Sequence, residues 1–261
     1  MTGVQTCALP IYEPGFAFYD RLLTGLAERG IEAHLTLNHW DLPQALQDKG
    51  GWLNPEIIQR FCDYACEVGR RFGHRLASLA THNEPWVVAM LGHDSGIFAP
   101  GLKDRAVAMQ VAHHLLVSHG VALQALRAQG LQTRLGIVLN LSPFHAATES
   151  LTDQHKTHLE DGMLVRWYLD ALLRGHYPED VWEHLGADVP KVNPDDLVLE
   201  DDMELDARMP ALLQAMEAME ATQAWDMVKL VGMRPAEAAR KWPFIEGFDW
   251  GDCKRLPKIG R

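Results

Sequence analysis

Three times in its first 140 residues, the chain passes from a helical pattern through a closing glycine into a short apolar run. The apolar runs have the length and composition of buried strands, and they cover residues 31–37, 76–81 and 134–140. Helices that alternate with strands in this way favour parallel pairing with right-handed crossovers. We therefore predict an α/β fold in which the three strands are adjacent, parallel and arranged in chain order.

The helical segments between these runs are delimited by residues that commonly begin or end helices. Glycine follows each segment, and Asn54-Pro55-Glu56 is typical of a helix start. The apolar spacing predicts helices over residues 15–29, 56–72, 104–129 and 151–173. Beyond residue 178 the alternation stops, since residues 179–240 contain acidic, helix-forming sequence and only the aromatic stretch 242–250 has the character of a short strand.

Polar and aromatic side chains follow two of the predicted strands directly. Asn83 and Glu84 come after the run 76–81, and His39 and Trp40 come after the run 31–37. The carboxyl ends of parallel strands meet at one edge of a sheet, which is where the chemistry of such folds is placed. These residues protonate, hydrogen-bond and stack on sugars, so we expect a small-molecule site at this edge.

The charge balance makes a nucleic-acid partner improbable on physical grounds. The chain has 24 Lys and Arg against 35 Asp and Glu, for a formal net charge of -11, and it has no basic stripe to displace phosphate counterions. No apolar stretch approaches the roughly 20 residues that cross a bilayer. Residues 1–11 lack the pattern of a secretory signal. We expect a soluble, cytoplasmic protein that binds a neutral substrate.

The cysteines predict neither a disulfide framework nor a metal site. Cys62 and Cys66 lie one helical turn apart, but no second Cys or His pair at metal-ligand spacing accompanies them. We interpret both as small core residues in a reducing compartment, and we expect no metal and no cofactor.

Two motifs at the strand ends carry a specific resemblance. Residues 36–46 read T-L-N-H-W-D-L-P-Q-A-L and are followed by G-G-W at 50–52, and residues 81–86 read T-H-N-E-P-W. Shorter stretches that agree lie at residues 18–22, 99–101, 113–116, 136–140, 166–167 and 174–178. Together they resemble the β-glucosidases of glycoside hydrolase family 1, in which T-x-N-E-P is the acid/base motif.

The resemblance implies a (β/α)8 TIM barrel of which this chain holds a part. Residues 12–202 are similar to strands 3 to 5 of the family barrel with their helices. Residues 1–11 are unmatched, and residues 203–261 form an unmatched, mostly helical tail. No segment resembles the first two strands or the T-E-N-G strand that bears the nucleophile, and residues 247–252 are only faintly similar to the last strand.

The resemblance also implies roles for the residues at the strand ends. A retaining β-glucosidase uses one carboxyl group to protonate the leaving oxygen and a second to attack the anomeric carbon. Glu84 matches the protonating residue, Asn83 and His39 match residues that bind the sugar 2- and 3-hydroxyls, and Trp40 matches part of the wall of the sugar pocket. The implied substrate is a small β-glucoside or oligosaccharide. Without a nucleophile, the chain is expected to be weak or inactive alone.

One residue departs from the family pattern, and other interpretations remain open. Phe98 stands where the family usually has histidine, on the leaving-group side of the pocket.

The site residues also allow other interpretations. Glu84 alone would also fit a carboxylate that stabilises a helix N-terminus. His39 with Asp41, and His82 with Glu84, would fit a metal-dependent hydrolase less well, because Trp40 has no role there. A non-catalytic remnant is the third interpretation, and the sequence leaves sugar preference and oligomeric state open.

Overall fold

The computed structural model of the chain describes residues 12–194, 196–197 and 228–229. The chain divides into two compact units, Met1–Leu199 and Glu200–Arg261. In the second unit the described element is the two-residue strand β5, Val228–Lys229. The predictions made for residues 1–11, for most of the tail 203–261 and for the stretch 242–250 lie outside the described residues.

A three-stranded parallel sheet forms the centre of the first unit. Its strands are β1, His34–Asn38, β2, Ser78–Asn83, and β3, Arg134–Val138. They pair in the order β1-β2-β3. The predicted order, adjacency and parallel direction are therefore confirmed.

The ends of the strands differ from the prediction. β1 begins at His34 rather than at residue 31, and the Ile31 side chain is exposed. β2 begins at Ser78, two residues later than predicted, because Leu76 still closes the 3-10 turn over Gly73–Arg75, and β2 ends at Asn83. β3 ends at Val138, and Asn140–Leu141 forms a separate short strand, β4.

Helices connect the strands and follow them as the spacing predicts. The α-helices of the first unit are α1 Glu13–Ala27, α2 Gln44–Gln47, α3 Glu56–Phe72, α4 Arg105–Ala128, α5 Leu151–Asp161, α6 Trp167–Arg174 and α7 Glu179–Leu185. Wider π-helical turns span Val87–Asp94 and Gly162–Arg166, and 3-10 turns span Gly51–Leu53 and Gly186–Asp188. The single helix predicted over 151–173 is thus α5, a π-helical turn and α6 in succession.

The start and end of α4 follow from local hydrogen bonds. At its start, the Asp104 carboxylate accepts a hydrogen bond from the Val107 backbone N–H at 3.1 Å. Beyond its end, Gly130 has a left-handed backbone with φ of +73°, and Gly30 after α1 has a similar φ of +68°. By length and composition alone α4 is long and apolar enough to cross a membrane, so the expectation that no stretch of the chain approaches this length was wrong. However, 72% of its most apolar window is buried against the rest of the protein, so the apolar residues of α4 belong to the core.

An ionic cluster holds α1 against α3. The Arg71 guanidinium donates to the Glu13 carboxylate at 2.6 and 2.7 Å and also to Glu67, and it lies 4.2 Å from the centre of the Phe16 ring. Cys62 of α3 is buried as predicted, whereas Cys66 is half-buried. Burial is the main cause that raises the pKa of the Cys62 thiol to about 12, so this thiol stays protonated and inert near neutral pH.

Polar side chains are buried where β2 packs against α4. Thr81 and His82 are adjacent in sequence, and both are inaccessible to solvent. Thr81 Oγ1 lies 2.8 Å from His119 Nδ1, and His82 Nε2 lies 2.9 Å from Ser118 Oγ. Each buried polar group therefore has a hydrogen-bond partner across the interface, which a dry core requires.

The burial of His119 predicts a loss of stability in acid. Desolvation lowers the pKa of His119 from 6.5 to about 4, so the unfolded chain binds this proton more tightly than the folded chain. The stability that the folded chain has with a neutral His119 is fully present above pH 6.5. It falls by on the order of 3 kcal/mol in all as the pH drops towards 4. In urea unfolding between pH 6.5 and 5, His119→Gln should reduce the slope of unfolding free energy against pH by up to about 1.4 kcal/mol per unit. Equal slopes for both proteins would contradict this assignment.

Candidate active site

The candidate site lies at the carboxyl edge of the sheet, where three strand ends meet. His39 follows the last residue of β1, and Glu84 follows the last residue of β2. The Glu84 backbone N–H donates to the carbonyl of Val138, the last residue of β3, at 2.8 Å. The predicted placement of His39 and Glu84 at one edge of the sheet is therefore confirmed.

Trp40 joins the two strand ends that carry the predicted site residues. Its indole Nε1–H donates to the backbone carbonyl of Asn83 at 3.0 Å, one peptide before Glu84. The His39 ring packs edge-on against Trp40 with ring centres 5.0 Å apart, and the Phe98 ring lies on Trp40 at 5.6 Å. A run of three aromatic rings thus borders the edge beside Glu84.

Glu84 has a backbone conformation that L-residues rarely adopt. Its φ is +48°, and Trp40 across the edge has φ of +78°. Left-handed conformations cost a non-glycine residue roughly 1–2 kcal/mol, and such costs concentrate at functional sites. The pairing of β2 with β3 is also irregular between Ala80 and Asn83, so the chain turns sharply as it leaves the sheet.

The contacts of Glu84 show how its carboxylate stands relative to the following helical turns. Glu84 lies just before the turns that begin at Pro85, so its position alone fits a carboxylate that stabilises a helix N-terminus. Its backbone carbonyl accepts a hydrogen bond from the Val87 N–H at 2.8 Å, as the carbonyl of a residue before a helix ordinarily does. Among the residues that the structure describes, none forms a hydrogen bond or ion pair with the Glu84 carboxylate. The Glu84 carboxylate is half-buried.

His82 lies beneath the edge and cannot serve the alternative metal cage. Its Nδ1 is 3.0 Å from Asn38 Nδ2 and its Nε2 is 2.9 Å from Ser118 Oγ, so both ring nitrogens have partners inside the protein. The ring stacks on Phe61 with centres 4.4 Å apart. In the described part of the chain, no three His, Cys, Asp or Glu side chains are arranged to hold a metal ion. The hypothesis of a cage that includes His82 is wrong on this geometry.

The predicted site residues differ in how they are brought together. Trp40, Asn83 and Glu84 are linked by one hydrogen bond and one peptide bond, and the last two are half-buried. His39 is exposed and reaches this group through its ring contact with Trp40. Phe98, which stands in place of the family's usual histidine, contacts Trp40 and is also exposed.

Sequence reasoning missed the support beneath the site. Asn38, His82 and Ser118 form a buried chain of hydrogen bonds, and the sequence analysis considered only His82, as a metal ligand. One signal was present: Thr81 and His82 are two consecutive polar residues at the end of an apolar run. A buried strand keeps such residues only when each has a hydrogen-bond partner.

Comparison with known proteins gives a consistent family. The family model described as glycosyl hydrolase family 1 matches residues 7–222. Beta-glucosidase A of Acetivibrio thermocellus is 44% identical over 168 residues, which cover 64% of this chain and 38% of the relative. Beta-glucosidase A of Thermotoga maritima is 38% identical over 188 residues, covering 72% of this chain and 42% of the relative. The chain thus spans about two fifths of the length of these curated relatives.

Solved structures agree with the sequence comparison. The family 1 β-glucosidase from Thermotoga maritima superposes with a TM-score of 0.70 at 37% identity, over 73% of this chain and 43% of that one. The AHE enzyme from Alicyclobacillus herbarius gives a TM-score of 0.70 at 40% identity, over 73% and 44%. The expected fold, part of a family 1 TIM barrel, is confirmed.

The left-handed backbone at Glu84 predicts an unusual order of stability for two variants. Glu84→Ala and Glu84→Gly both remove the carboxylate, but only glycine adopts φ of +48° without strain. In urea unfolding, the glycine variant should be more stable than the alanine variant by about 1 kcal/mol. The matched pair at the exposed Lys156 within α5 should show the opposite order by a similar amount, because glycine weakens a helix interior. Alanine being more stable at both positions would contradict the strained conformation.

Proposed function

Because the chain belongs to glycosyl hydrolase family 1, we propose that it carries the acid/base half of a retaining β-glucosidase site and acts on β-glycosidic bonds. The substrate proposed is a small β-glucoside or oligosaccharide. The observation that carries the proposal is the Glu84 carboxylate, held at the carboxyl edge of the sheet by a strained backbone and left without a partner among the described residues.

The proposed role of Glu84 is to protonate the departing glycosidic oxygen. A sugar leaves poorly as an alkoxide, so a positioned carboxylic acid lowers the barrier by supplying a proton as the bond breaks. In the second half of a retaining reaction the same group, now ionised, removes a proton from water. Both tasks require a carboxylate that is not engaged in a structural ion pair, and the contacts of Glu84 support this.

The proposed sugar-binding residues surround Glu84 on the same edge. We assign the 2-hydroxyl to Asn83, because a hydrogen bond there strengthens as positive charge develops on the ring. We assign the 3-hydroxyl to His39, whose exposed ring can reach outward from the end of β1. Trp40 would form part of the wall against the apolar face of the sugar, and its hydrogen bond to Asn83 fixes its orientation.

The proposed activity of this chain is weak, because a retaining mechanism needs a second carboxylate. The two carboxyl groups lie about 5–5.5 Å apart in such enzymes. The sequence has no T-E-N-G segment, and the carboxylates Glu246 and Asp249 in the tail lie outside the described residues. We therefore propose that this chain binds β-glucosides and protonates leaving groups, with turnover far below that of a complete relative.

A second candidate is a non-catalytic remnant with the same ancestry. It is favoured by the residues given, among which no T-E-N-G segment supplies the nucleophile that a retaining reaction needs. The two candidates differ in whether residual hydrolysis depends on Glu84, so the same experiment separates them.

The acid role of Glu84 predicts a dependence on the leaving group. Purified wild-type chain should hydrolyse aryl β-glucosides slowly. For methyl β-glucoside, which needs a proton on its leaving oxygen, Glu84→Gln should lower kcat/KM by roughly 10²–10⁴-fold. For dinitrophenyl β-glucoside, whose leaving group departs as a stable anion, the loss should be much smaller. Steady-state kinetics on both substrates measure the difference.

The matched control is Glu32→Gln, which alters an exposed carboxylate near the amino end of β1 and should change neither rate. Equal losses on both substrates would contradict the acid role. No hydrolysis above the buffer rate would favour the non-catalytic remnant. Robust turnover, together with a glycosyl adduct trapped on a carboxylate of this chain by a 2-fluoro glucoside, would show that the chain contains a nucleophile after all.

A further inference from the structure

A buried histidine links the two strands that deliver the proposed site residues. His82 is inaccessible to solvent, and its ring lies between Phe61, stacked at 4.4 Å, and Trp52, edge-on at 5.3 Å. Its two nitrogens contact Asn38 of β1 and Ser118 of α4. One imidazole therefore connects the central strand to a neighbouring strand and to the helix that covers it.

The hydrogen bonds around His82 assign its protons. The Ser118 hydroxyl donates to the Leu115 carbonyl at 2.8 Å, so its oxygen must accept from His82 Nε2–H. In a neutral ring Nδ1 is then an acceptor, and it receives the Asn38 amide N–H. Burial is the main cause that lowers the pKa of His82 well below its ordinary value, and the nearby His119 adds to this, so the ring stays neutral. The hydrogen bonds from Asn38 to His82, from His82 to Ser118 and from Ser118 to Leu115 thus each pair one donor with one acceptor.

The position of this chain of hydrogen bonds connects it to the site. Asn38 directly precedes His39, and His82 directly precedes Asn83. Asn38 and His82 are also register partners in the sheet. The side-chain bond between them therefore lies at the last register pair of β1 and β2, and Trp40 follows it with φ of +78° on the β1 side.

We propose that His82 is a positioning residue: as the neutral Nε2–H tautomer it fixes the end of β1 to the end of β2 and holds Trp40 against Asn83. The consequence for sugar binding rests on the proposed function, whereas the consequence for the geometry of the edge does not. Loss of both hydrogen bonds lets the two strand ends move apart even if the ring remains packed.

The hydrogen bond from the Trp40 indole to the Asn83 carbonyl reports this geometry directly. In ¹⁵N-labelled full chain, the Trp40 indole N–H resonance is assigned by its absence in Trp40→Phe. His82→Phe keeps an aromatic ring against Phe61 but removes both hydrogen bonds. It should shift the Trp40 resonance and speed its solvent exchange by roughly tenfold. His82→Gln retains a donor and an acceptor and should restore most of the protection.

The matched control is His113→Phe. His113 is as deeply buried in the same unit and makes two hydrogen bonds, to the Tyr177 hydroxyl at 2.9 Å and to Asp196 at 3.0 Å. Its replacement should lower overall stability while leaving the Trp40 resonance unchanged. Should His82→Phe fail to fold, Ser118→Ala removes the acceptor of Nε2–H and is expected to produce the same change in smaller measure.

Each outcome decides the proposal. Unchanged Trp40 exchange in a folded His82→Phe, or an equal change in His113→Phe, would overturn the positioning role. A His82 ring whose ¹⁵N shifts show a proton on Nδ1 would do the same.

Binding of an aryl β-glucoside by the same samples tests the consequence for sugar binding, and about tenfold weaker binding in His82→Phe is expected. If the wild-type chain binds no glucoside while the Trp40 effect is seen, the proposed function fails and the positioning role stands.

Discussion

The interface between β2 and α4 places the strongest constraint on this structure, because it is closed to solvent and yet contains polar side chains. Thr81 and His82 each need a partner there, and His119 and Ser118 supply them. A buried polar group that loses its partner costs about 1–3 kcal/mol. These hydrogen bonds therefore fix the position of β2 along α4. Since β2 is the central strand of the three-stranded sheet, β1 and β3 are positioned by their pairing with it.

The edge of the sheet uses this fixed frame to hold two strained residues. Left-handed backbones at Trp40 and Glu84 persist only where surrounding contacts determine them, and both residues have such contacts. The Glu84 N–H is bonded to Val138, and the Trp40 indole is bonded to Asn83. These contacts place the Glu84 and Trp40 side chains at the same edge, where the glycoside chemistry is proposed to occur.

Much of the fold was predictable because it depends on local patterns. Glycines after helices, the Asn54-Pro55 start of α3 and the apolar runs predict the elements, and short crossovers predict their order. The strand ends were less accurate, since Leu76 has an apolar side chain typical of the strand but closes the 3-10 turn at Gly73–Arg75 instead. The motifs at 36–46 and 81–86 placed Glu84, His39, Trp40 and Asn83 at one edge, and their roles remain predictions.

The hypothesis of a metal site failed because it assumed that side chains alternate regularly between the two faces along β2. The irregular pairing between Ala80 and Asn83 leaves Thr81 and His82 both buried, so His82 and Glu84 do not act together.

We propose that the edge formed by Glu84, Asn83, His39 and Trp40 is the sugar-binding half of a glycosidase site. The most direct measurement is a crystal structure of the full chain with an unreactive aryl thio-β-glucoside. We predict that the sugar lies on this edge, with Asn83 and His39 hydrogen-bonded to its hydroxyls and the glycosidic sulfur about 3–3.5 Å from the Glu84 carboxylate. A sugar bound elsewhere on the protein, or bound here with Glu84 facing away from the sulfur, would contradict the account.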